Sequence, residues 1–262
     1  MNTATSPRKK LPIGIQSLRE LREEGHYYAD KSGYAVDLAQ TGTYYFLSRP
    51  RRFGKSLFLD TLKEMFEGNA ALFKGLAAET RWDWAKKHPV IRISFGDSDG
   101  VLQSRAELDE AIREMLRMQR VAMNLPLPVG LPEDYIAGNF RELIAQAHQA
   151  TGQRVVVLVD EYDKPMLQAI GNEALLTEYR NTLKAFYGAL KSMDAYLRFA
   201  LLTGVTKFSK ISVFSDLNNL EDISLQQAYN NLCGITEQEL LENFEEGIRV
   251  LGQHNEMAYE ET

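Results

Sequence analysis

Short runs of apolar residues alternate along the chain with longer segments in which apolar residues return every three or four positions. The continuous runs predict β-strands, and the wider spacing predicts helices that bury one face. The predicted strands are residues 44–47, 90–95, 155–159 and 199–202. The predicted helices are residues 15–40 with a turn near Gly25, 58–66, 108–118, 140–147, 176–190 and 240–251. Because strands and helices take turns, the pattern favours an α/β fold with a mostly parallel sheet sandwiched by helices.

Composition narrows the choice of function. The 262 residues include 44% hydrophobic and 25% charged residues, as in an ordinary globular domain. A net charge of −6 argues against a wholly basic nucleic-acid binder, although it leaves room for a local basic patch. The single cysteine, Cys233, and four scattered histidines exclude a disulfide framework and a zinc cluster. Without a signal peptide or the roughly 20 apolar residues of a membrane span, we expect a cytoplasmic protein with no membrane partner.

A degenerate phosphate-binding loop follows the first strand. Against the pattern GxxxxGK[ST], the chain matches at Gly54, Lys55 and Ser56, and Arg49 replaces the first glycine. Gly54 lets the backbone approach a phosphate, the Lys55 ammonium neutralises phosphate oxygens, and the Ser56 hydroxyl is a ligand for Mg²⁺. The predicted nucleotide-binding residues are Arg49, Pro50, Arg51, Arg52, Phe53, Gly54, Lys55, Ser56 and Leu57.

The arginines of this loop have two interpretations. Arg49, Arg51 and Arg52 are either a solvated basic turn or additional contacts to phosphates, of a nucleotide or of a nucleic-acid backbone. A Gly-Lys-Ser tripeptide alone is weak evidence, but its position between an apolar strand and an amphipathic helix strengthens the functional interpretation.

Two acids directly follow the buried strand at residues 155–159. Because α/β sheets bind ligands at the carboxyl ends of their strands, we predict Asp160 as a Mg²⁺ ligand and Glu161 as the general base that polarises water. The alternative is a strand-terminating turn with solvated acids. Asp163 is either a cap of the next turn, which we favour, or a second acid. A metal-nuclease interpretation fails because Tyr162 stands where an acid is needed.

Thr203 ends the next buried strand. It is predicted as a catalytic residue that senses the γ-phosphate or orients water, and the alternative is a threonine that satisfies a backbone group at the strand end.

Together these motifs resemble the bacterial AAA-ATPase-like family. The resemblance rests on YFLSRPRRFGKS (residues 45–56), VDEYDKP (159–165) and TGVTKFSK (203–210), with YADKS (28–32) and FSDLNNL (214–220) in addition. It implies a P-loop NTPase core of the additional-strand type, in which one strand separates the Walker A strand from the Walker B strand. By the same resemblance Asp160 and Glu161 are the Walker B pair, Thr203 holds the sensor-one position, and Arg49 is a family variant of the first glycine.

The resemblance also implies a domain plan. Residues 1–12 are expected to be disordered, 13–222 to form the ATPase core, and 223–262 to begin a helical lid that is truncated. Thr236 and Glu239 have the spacing of a capping box at the start of this C-terminal helical extension. Family members often carry a PD-(D/E)XK nuclease-like domain after the ATPase, and we expect it to be absent here.

Three functions remain open from the sequence. The first is Mg²⁺-dependent ATP hydrolysis, with ATP and Mg²⁺ as cofactors and Lys55, Glu161 and Thr203 as catalytic residues. The second is a nucleotide-gated interaction module with little turnover, contacting nucleic acid or another copy of the chain; no arginine finger is identifiable, and a homo-oligomer would supply one from another subunit. The third is a nucleotide-independent DNA-binding domain, against which the net charge and the acidic strand end both count.

Overall fold

A five-stranded sheet forms the centre of the computed structural model, which describes residues 9–96, 100–132, 134–207, 213–214, 217 and 219–255. The strands are β1 (Tyr44–Ser48), β2 (Val90–Ser94), β3 (Val155–Asp160), β4 (Leu197–Gly204) and β5 (Glu221–Asp222). All are parallel, in the order β2-β3-β4-β1-β5. Because β4 separates β1 from β3, the predicted additional-strand order is confirmed. The short polar strand β5 was not predicted.

Helices cover both faces of this sheet. They are α1 (Leu18–Glu23), α2 (Ser32–Thr41), α3 (Lys55–Phe66), α4 (Arg105–Ala122), α5 (Ile136–Thr151), α6 (Lys164–Gln168), α7 (Glu173–Ser192) and α8 (Glu237–His254). The predicted helical region 15–40 is thus two helices, separated by a turn at Gly25, which has a φ of +71° that glycine adopts without strain. The segment 26–31 between them becomes part of the functional cleft described below.

The core is divided by the sheet into two layers. Alternate residues of β1 show the division, since Tyr44 and Phe46 pack with α4, α5 and α7, whereas Tyr45 and Leu47 pack with α1, α2 and α3. Every residue of β3 is buried, as expected for a strand covered on both faces. The predicted sandwich of helices around a parallel sheet is confirmed.

The chain beyond β5 is tied to the core before α8 begins. Ile223 and Leu232 are fully buried in the layer of α1, α2 and α3. Thr236 and Glu239 form the predicted capping box at the start of α8, which is the C-terminal helical extension. Within the described ranges, no helix combines the length and apolar character needed to cross a membrane.

Some predicted features lie outside the described residues. These are residues 1–8 of the predicted disordered segment, motif residues 208–210, 215, 216 and 218, and the final stretch 256–262.

Candidate nucleotide-binding site

The loop between β1 and α3 has the backbone of a phosphate-binding turn. Arg52 and Gly54 have φ values of +65° and +85°, and Gly54 directly precedes α3. Among the described residues, no side chain makes a capping hydrogen bond at the start of α3. The first backbone N–H groups of this helix therefore remain available to donate, and they carry a partial positive charge. A Cβ built on Gly54 would meet no atom within 4 Å. The turn therefore presents an open surface of backbone donors at a helix N-terminus, which favours an anion.

Lys55 is held inside this loop. Its side chain is buried, and its Nζ donates hydrogen bonds of 3.0 Å to the carbonyl oxygens of both Arg49 and Pro50. No carboxylate pairs with it among the described residues. An ammonium has three donors, so one remains for a further acceptor, and neutral carbonyls leave its charge uncompensated.

Arg49 has a different role from its neighbours in the loop. Its guanidinium donates to the carbonyl oxygens of Ser48, Ser224 and Tyr229, and so it ties the loop to the chain beyond β5. Arg51 and Arg52 are exposed and line the cleft together with the rest of residues 53–57. Of the nine predicted nucleotide-binding residues, Arg49 and Pro50 are the two that do not line it.

Asp160 ends β3 as a buried carboxylate with one oxygen held. Oδ1 accepts hydrogen bonds from the Thr203 hydroxyl at 2.7 Å and from the Glu161 amide at 3.0 Å. Oδ2 has no hydrogen-bond partner in the described part of the chain. Thr203 is fully buried, and its hydroxyl also lies 3.3 Å from the carbonyl oxygen of Val159. The bond to a backbone carbonyl at the strand end is one of the two interpretations that the sequence offered for Thr203, and the bond to Asp160 was not predicted.

Glu161 is partly exposed and lines the same cleft as the phosphate loop. Its φ of +51° is unusual for a residue with a side chain and costs about 1–2 kcal/mol. Its Oε2 would lie 3.2 Å from a Cβ built on Gly96, at the end of β2. The absence of a side chain at Gly96 therefore leaves room for the Glu161 carboxylate.

The cleft has a floor and a roof. We call residues 51–57 with Asp160 and Glu161 the cleft floor, and residues 12–16, 27–31, 232–235 and Phe244 with Glu239 the cleft roof. The enclosed volume is 790 Å³, within the range of about 300–1,000 Å³ that is usual for small-molecule pockets. The cleft is therefore large enough for a nucleotide.

The contacts of α8 with the rest of the cleft roof include a pair of aromatic rings and an ion pair. The rings of Tyr27 and Phe244 lie 4.8 Å apart between centroids. Lys31 Nζ donates to both carboxylate oxygens of Glu239, at 2.5 and 2.7 Å. Burial alone would raise the pKa of Glu239, but the bonds from Lys31 and from the Thr236 amide hold this pKa below its usual value. The pair is therefore intact at neutral pH and is lost as pH falls through that lowered pKa.

A comparison with known families decides where the chain belongs. A family model described as "AAA-ATPase_like: Predicted AAA-ATPase" matches residues 12–214. The chain belongs to the AAA-ATPase-like family. A curated relative in Azotobacter chroococcum mcd 1, named "Uncharacterized protein in vnfD 5'region", is 52% identical over 231 residues. The match covers 88% of this chain but 44% of the relative, so the chain spans less than half of that protein's length. No solved structure matches the chain.

The donor set of this AAA-ATPase-like chain fits one hydrated Mg²⁺. Mg²⁺ at nucleotide sites keeps several waters and binds one or two protein oxygens together with substrate phosphates. Ser56, in the first turn of α3, and Oδ2 of Asp160 are oxygens of this kind. In the ranges that the structure describes, no cluster of three or more His, Cys, Asp or Glu residues forms a separate metal cage.

Asp163 has a role that the sequence did not indicate. Its buried carboxylate accepts hydrogen bonds from the amides of Val205 and Thr206 and from the Thr206 hydroxyl. As predicted, Asp163 is the N-cap residue of α6, and its carbonyl oxygen accepts from the Leu167 amide, but its side chain makes no capping bond to that helix. Asp163 instead fixes the loop after β4, next to Thr203.

Cys233 lies in the cleft roof of the AAA-ATPase-like site. Burial raises the pKa of its thiol to about 11, although the positive charges of Arg49, Lys55 and Lys31 act in the opposite direction. The thiol is therefore protonated at neutral pH and behaves as a small apolar side chain. No motif in the sequence identified Cys233, Tyr27 or Phe244 as cleft residues.

Proposed function

We propose that this chain binds ATP on the cleft floor and hydrolyses it in the presence of Mg²⁺. The observation that carries the proposal is the state of Asp160, with one oxygen held by Thr203 and the other free. Asp160 ends β3, and the phosphate-binding turn follows β1, two strands away in the sheet. Phosphoryl-transfer sites likewise combine a phosphate-binding loop with an acid that holds Mg²⁺. The assignment to the AAA-ATPase-like family also supports nucleotide binding.

The positive charges on the cleft floor that no acid of the described ranges neutralises would bind the phosphates of ATP. Lys55 would exchange its loop carbonyls for phosphate oxygens, and the amides at the start of α3 would donate to the same anion. Arg51 and Arg52 are exposed at the mouth of the cleft and add positive charge near the phosphates. These contacts favour a polyphosphate over a neutral ligand.

Hydrolysis requires a metal and a base. When bound, Mg²⁺ supplies positive charge to the phosphate oxygens and offsets the charge that develops during phosphoryl transfer. Ser56 and Asp160 would hold it. Glu161, whose carboxylate lines the cleft, would accept a proton from the attacking water. Thr203 would position Asp160 without touching the nucleotide.

The direct test is nucleotide binding by a Lys55→Ala variant. We expect its affinity for a fluorescent ATP analogue with Mg²⁺ to fall at least ~10-fold, because a charge-assisted contact to phosphate is lost. Lys74→Ala is a matched control, since Lys74 is an exposed lysine outside the cleft. ATP binding that survives Lys55→Ala would contradict the proposal and favour nucleotide-independent DNA binding through the loop arginines.

A second candidate is a nucleotide-gated module with little turnover. It is favoured by the roof contacts, because α8 meets the cleft through the Lys31–Glu239 pair and the Tyr27–Phe244 contact, and the Gly234 amide donates to the Phe53 carbonyl at 2.9 Å. Nucleotide on the floor would thus act on the position of α8. Steady-state phosphate release, measured with and without DNA, separates the two: tight ATP binding without release in either condition favours the module.

A further inference from the structure

We propose that the chain has a second anion-binding site, for a phosphate group, at the amino ends of β2, β3 and β4. A pocket of 550 Å³ opens there, at the opposite end of the sheet from the nucleotide cleft. Its lining residues are Gln40, Arg81, Trp82, Asp83, Lys86, His88, Gly152, Gln153, Arg154 and Arg198. Four of these residues are cationic and one is an acid, in a chain whose net charge is −6.

The arginines of this pocket are not neutralised by acids. Arg154 precedes β3, and its guanidinium makes no ion pair or hydrogen bond within the described ranges. Arg198, in β4, is half-buried, and its one acceptor in the described part of the chain is the carbonyl oxygen of Ala39, at 2.6 Å. Burial, and then the charge of Arg154, lower the pKa of Arg198. Two guanidiniums thus face the same space with their charges uncompensated, which favours a multivalent anion between them.

Two further pocket residues are already paired with acids. Arg81 pairs with Asp37, and Lys86 pairs with Asp83 at 3.3 Å. Their side chains are 43% and 73% exposed. The uncompensated charge therefore belongs to Arg154 and Arg198.

Trp82 and His88 line the same pocket. Trp82 Nε1 is buried and has no hydrogen-bond partner among the described residues. An indole N–H can only donate, and leaving it unpaired costs about 1–3 kcal/mol. His88 stabilises the wall of the pocket, because its Nδ1 lies 2.8 Å from the Arg154 carbonyl oxygen. Two guanidiniums suit the oxygens of a phosphate monoester, which guanidinium binds in a bidentate manner.

The pocket is separate from the nucleotide cleft. Lys55 begins α3, and Phe66 ends it, where its ring packs edge-on against Trp82 at 5.3 Å. A helix of 12 residues is about 18 Å long, so the two sites lie at opposite ends of α3. A ligand in this pocket therefore cannot be the nucleotide of the floor.

Fluorescence of Trp82, which lines the pocket, can report binding at this site. Trp82 and Trp84 are the two tryptophans of the chain, and Trp84 packs against Phe73 instead. In a Trp84→Phe background, we expect inorganic phosphate, added at constant ionic strength against chloride, to produce a saturable change in Trp82 fluorescence. Arg154→Ala with Arg198→Ala should weaken the apparent affinity at least ~10-fold. Arg113→Ala with Arg117→Ala, which removes two arginines of α4 that lie outside the pocket, should leave it unchanged.

Two controls keep the result specific. Arg154→Ala alone, at an exposed residue, tests the site if the loss of Arg198 impairs folding, and it should weaken phosphate binding ~5-fold or more. The response should persist in Lys55→Ala, which disables the other phosphate site. A response that is absent, that survives both arginine changes, or that disappears in Lys55→Ala would overturn the proposal.

The source of the phosphate group can be read in the same assay. An oligonucleotide with a 5′-phosphate that binds tighter than both inorganic phosphate and its 5′-hydroxyl counterpart would identify the end of a nucleic acid. Equal affinity for inorganic phosphate and the 5′-phosphorylated oligonucleotide would identify a small phosphate ester. Either result supports the site.

Discussion

The cleft floor and the cleft roof are built on different principles. The floor consists of strand ends and of the loop that leads into α3, and its buried groups are held by hydrogen bonds, as Asp160 is by the Thr203 hydroxyl and the Glu161 amide. The roof is assembled from distant segments through a few contacts, chiefly Lys31 with Glu239 and Tyr27 with Phe244. Gly252 is the single fully buried residue of α8, whereas all six residues of β3 are buried.

This difference suits the floor to catalysis and the roof to the entry and release of the ligand. Groups that must hold a charge in a fixed geometry belong on rigid elements, since a small misplacement is costly for catalysis. Elements with few buried contacts open at low free-energy cost and are suited to admit and release a ligand. We therefore expect substitutions of the acids at the strand ends of the floor to change turnover, and roof substitutions to change nucleotide affinity while turnover per bound ATP stays the same.

The largest effect is expected for Glu161→Gln on the floor. The amide keeps the shape of the side chain but cannot accept a proton as a base, so phosphate release should fall ~10²–10³-fold. ATP affinity should stay within about 3-fold, because the Glu161 carboxylate makes no hydrogen bond to the phosphate loop among the residues that the structure describes. The measurement is phosphate release at saturating ATP alongside binding of the analogue. Phosphate release that is unchanged in this variant would remove Glu161 from the mechanism.

The next effect concerns stability, at Arg49. Arg49→Gly restores the usual glycine of the phosphate-loop pattern, yet it removes the hydrogen bonds to the carbonyls of Ser224 and Tyr229. We expect a loss of about 2–3 kcal/mol in the free energy of unfolding, measured in urea, because charge-assisted bonds are lost. Arg51→Gly, in the same loop at an exposed residue, should cost less than about 1 kcal/mol. Equal losses would mean that the guanidinium bonds of Arg49 contribute little.

The sequence predicts the floor far better than the roof, for a physical reason. A strand, a tight turn and a helix are encoded by neighbouring residues, so the positions of Gly54, Lys55 and Asp160 follow from local patterns. The Lys31–Glu239 contact joins residues 208 positions apart, and no periodicity reveals such a pair. Even in the phosphate loop, the sequence identifies residue types but not their partners, and the bonds from Arg49 to the carbonyls of Ser224 and Tyr229 were not predicted.

A moderate effect is expected for Thr203→Val, which replaces the hydroxyl with a methyl of similar size. Asp160 would lose the 2.7 Å bond to Oδ1 and keep the bond from the Glu161 amide. Groups that orient a metal ligand typically contribute 10- to 100-fold to metal affinity. We therefore expect the Mg²⁺ concentration for half-maximal turnover to rise ~10-fold, and Thr203→Ser to restore it. An unchanged Mg²⁺ requirement would show that Thr203 has only a structural role.

The smallest effect is expected on the roof, for Glu239→Gln. Lys31 and Glu239 have side chains that are 9% and 20% exposed, so the pair is partly shielded from solvent. Loss of the Glu239 charge should lower the free energy of opening of α8 by about 1 kcal/mol. This change would be seen as ~5-fold faster hydrogen exchange of α8 amides. ATP affinity should weaken by no more than ~5-fold, and turnover per bound ATP should not change.

Glu245→Gln is the matched control, because it removes an exposed ion pair with Arg249 within α8 itself. It should leave both the exchange of α8 amides and the ATP affinity as they are in the parent chain. If Glu239→Gln instead lowered turnover while α8 stayed protected, the roof would take part in the chemistry and the separation between floor and roof would fail. The pair would then act on the cleft through the charge of Lys31, which lines the cleft, and not by holding α8 in place.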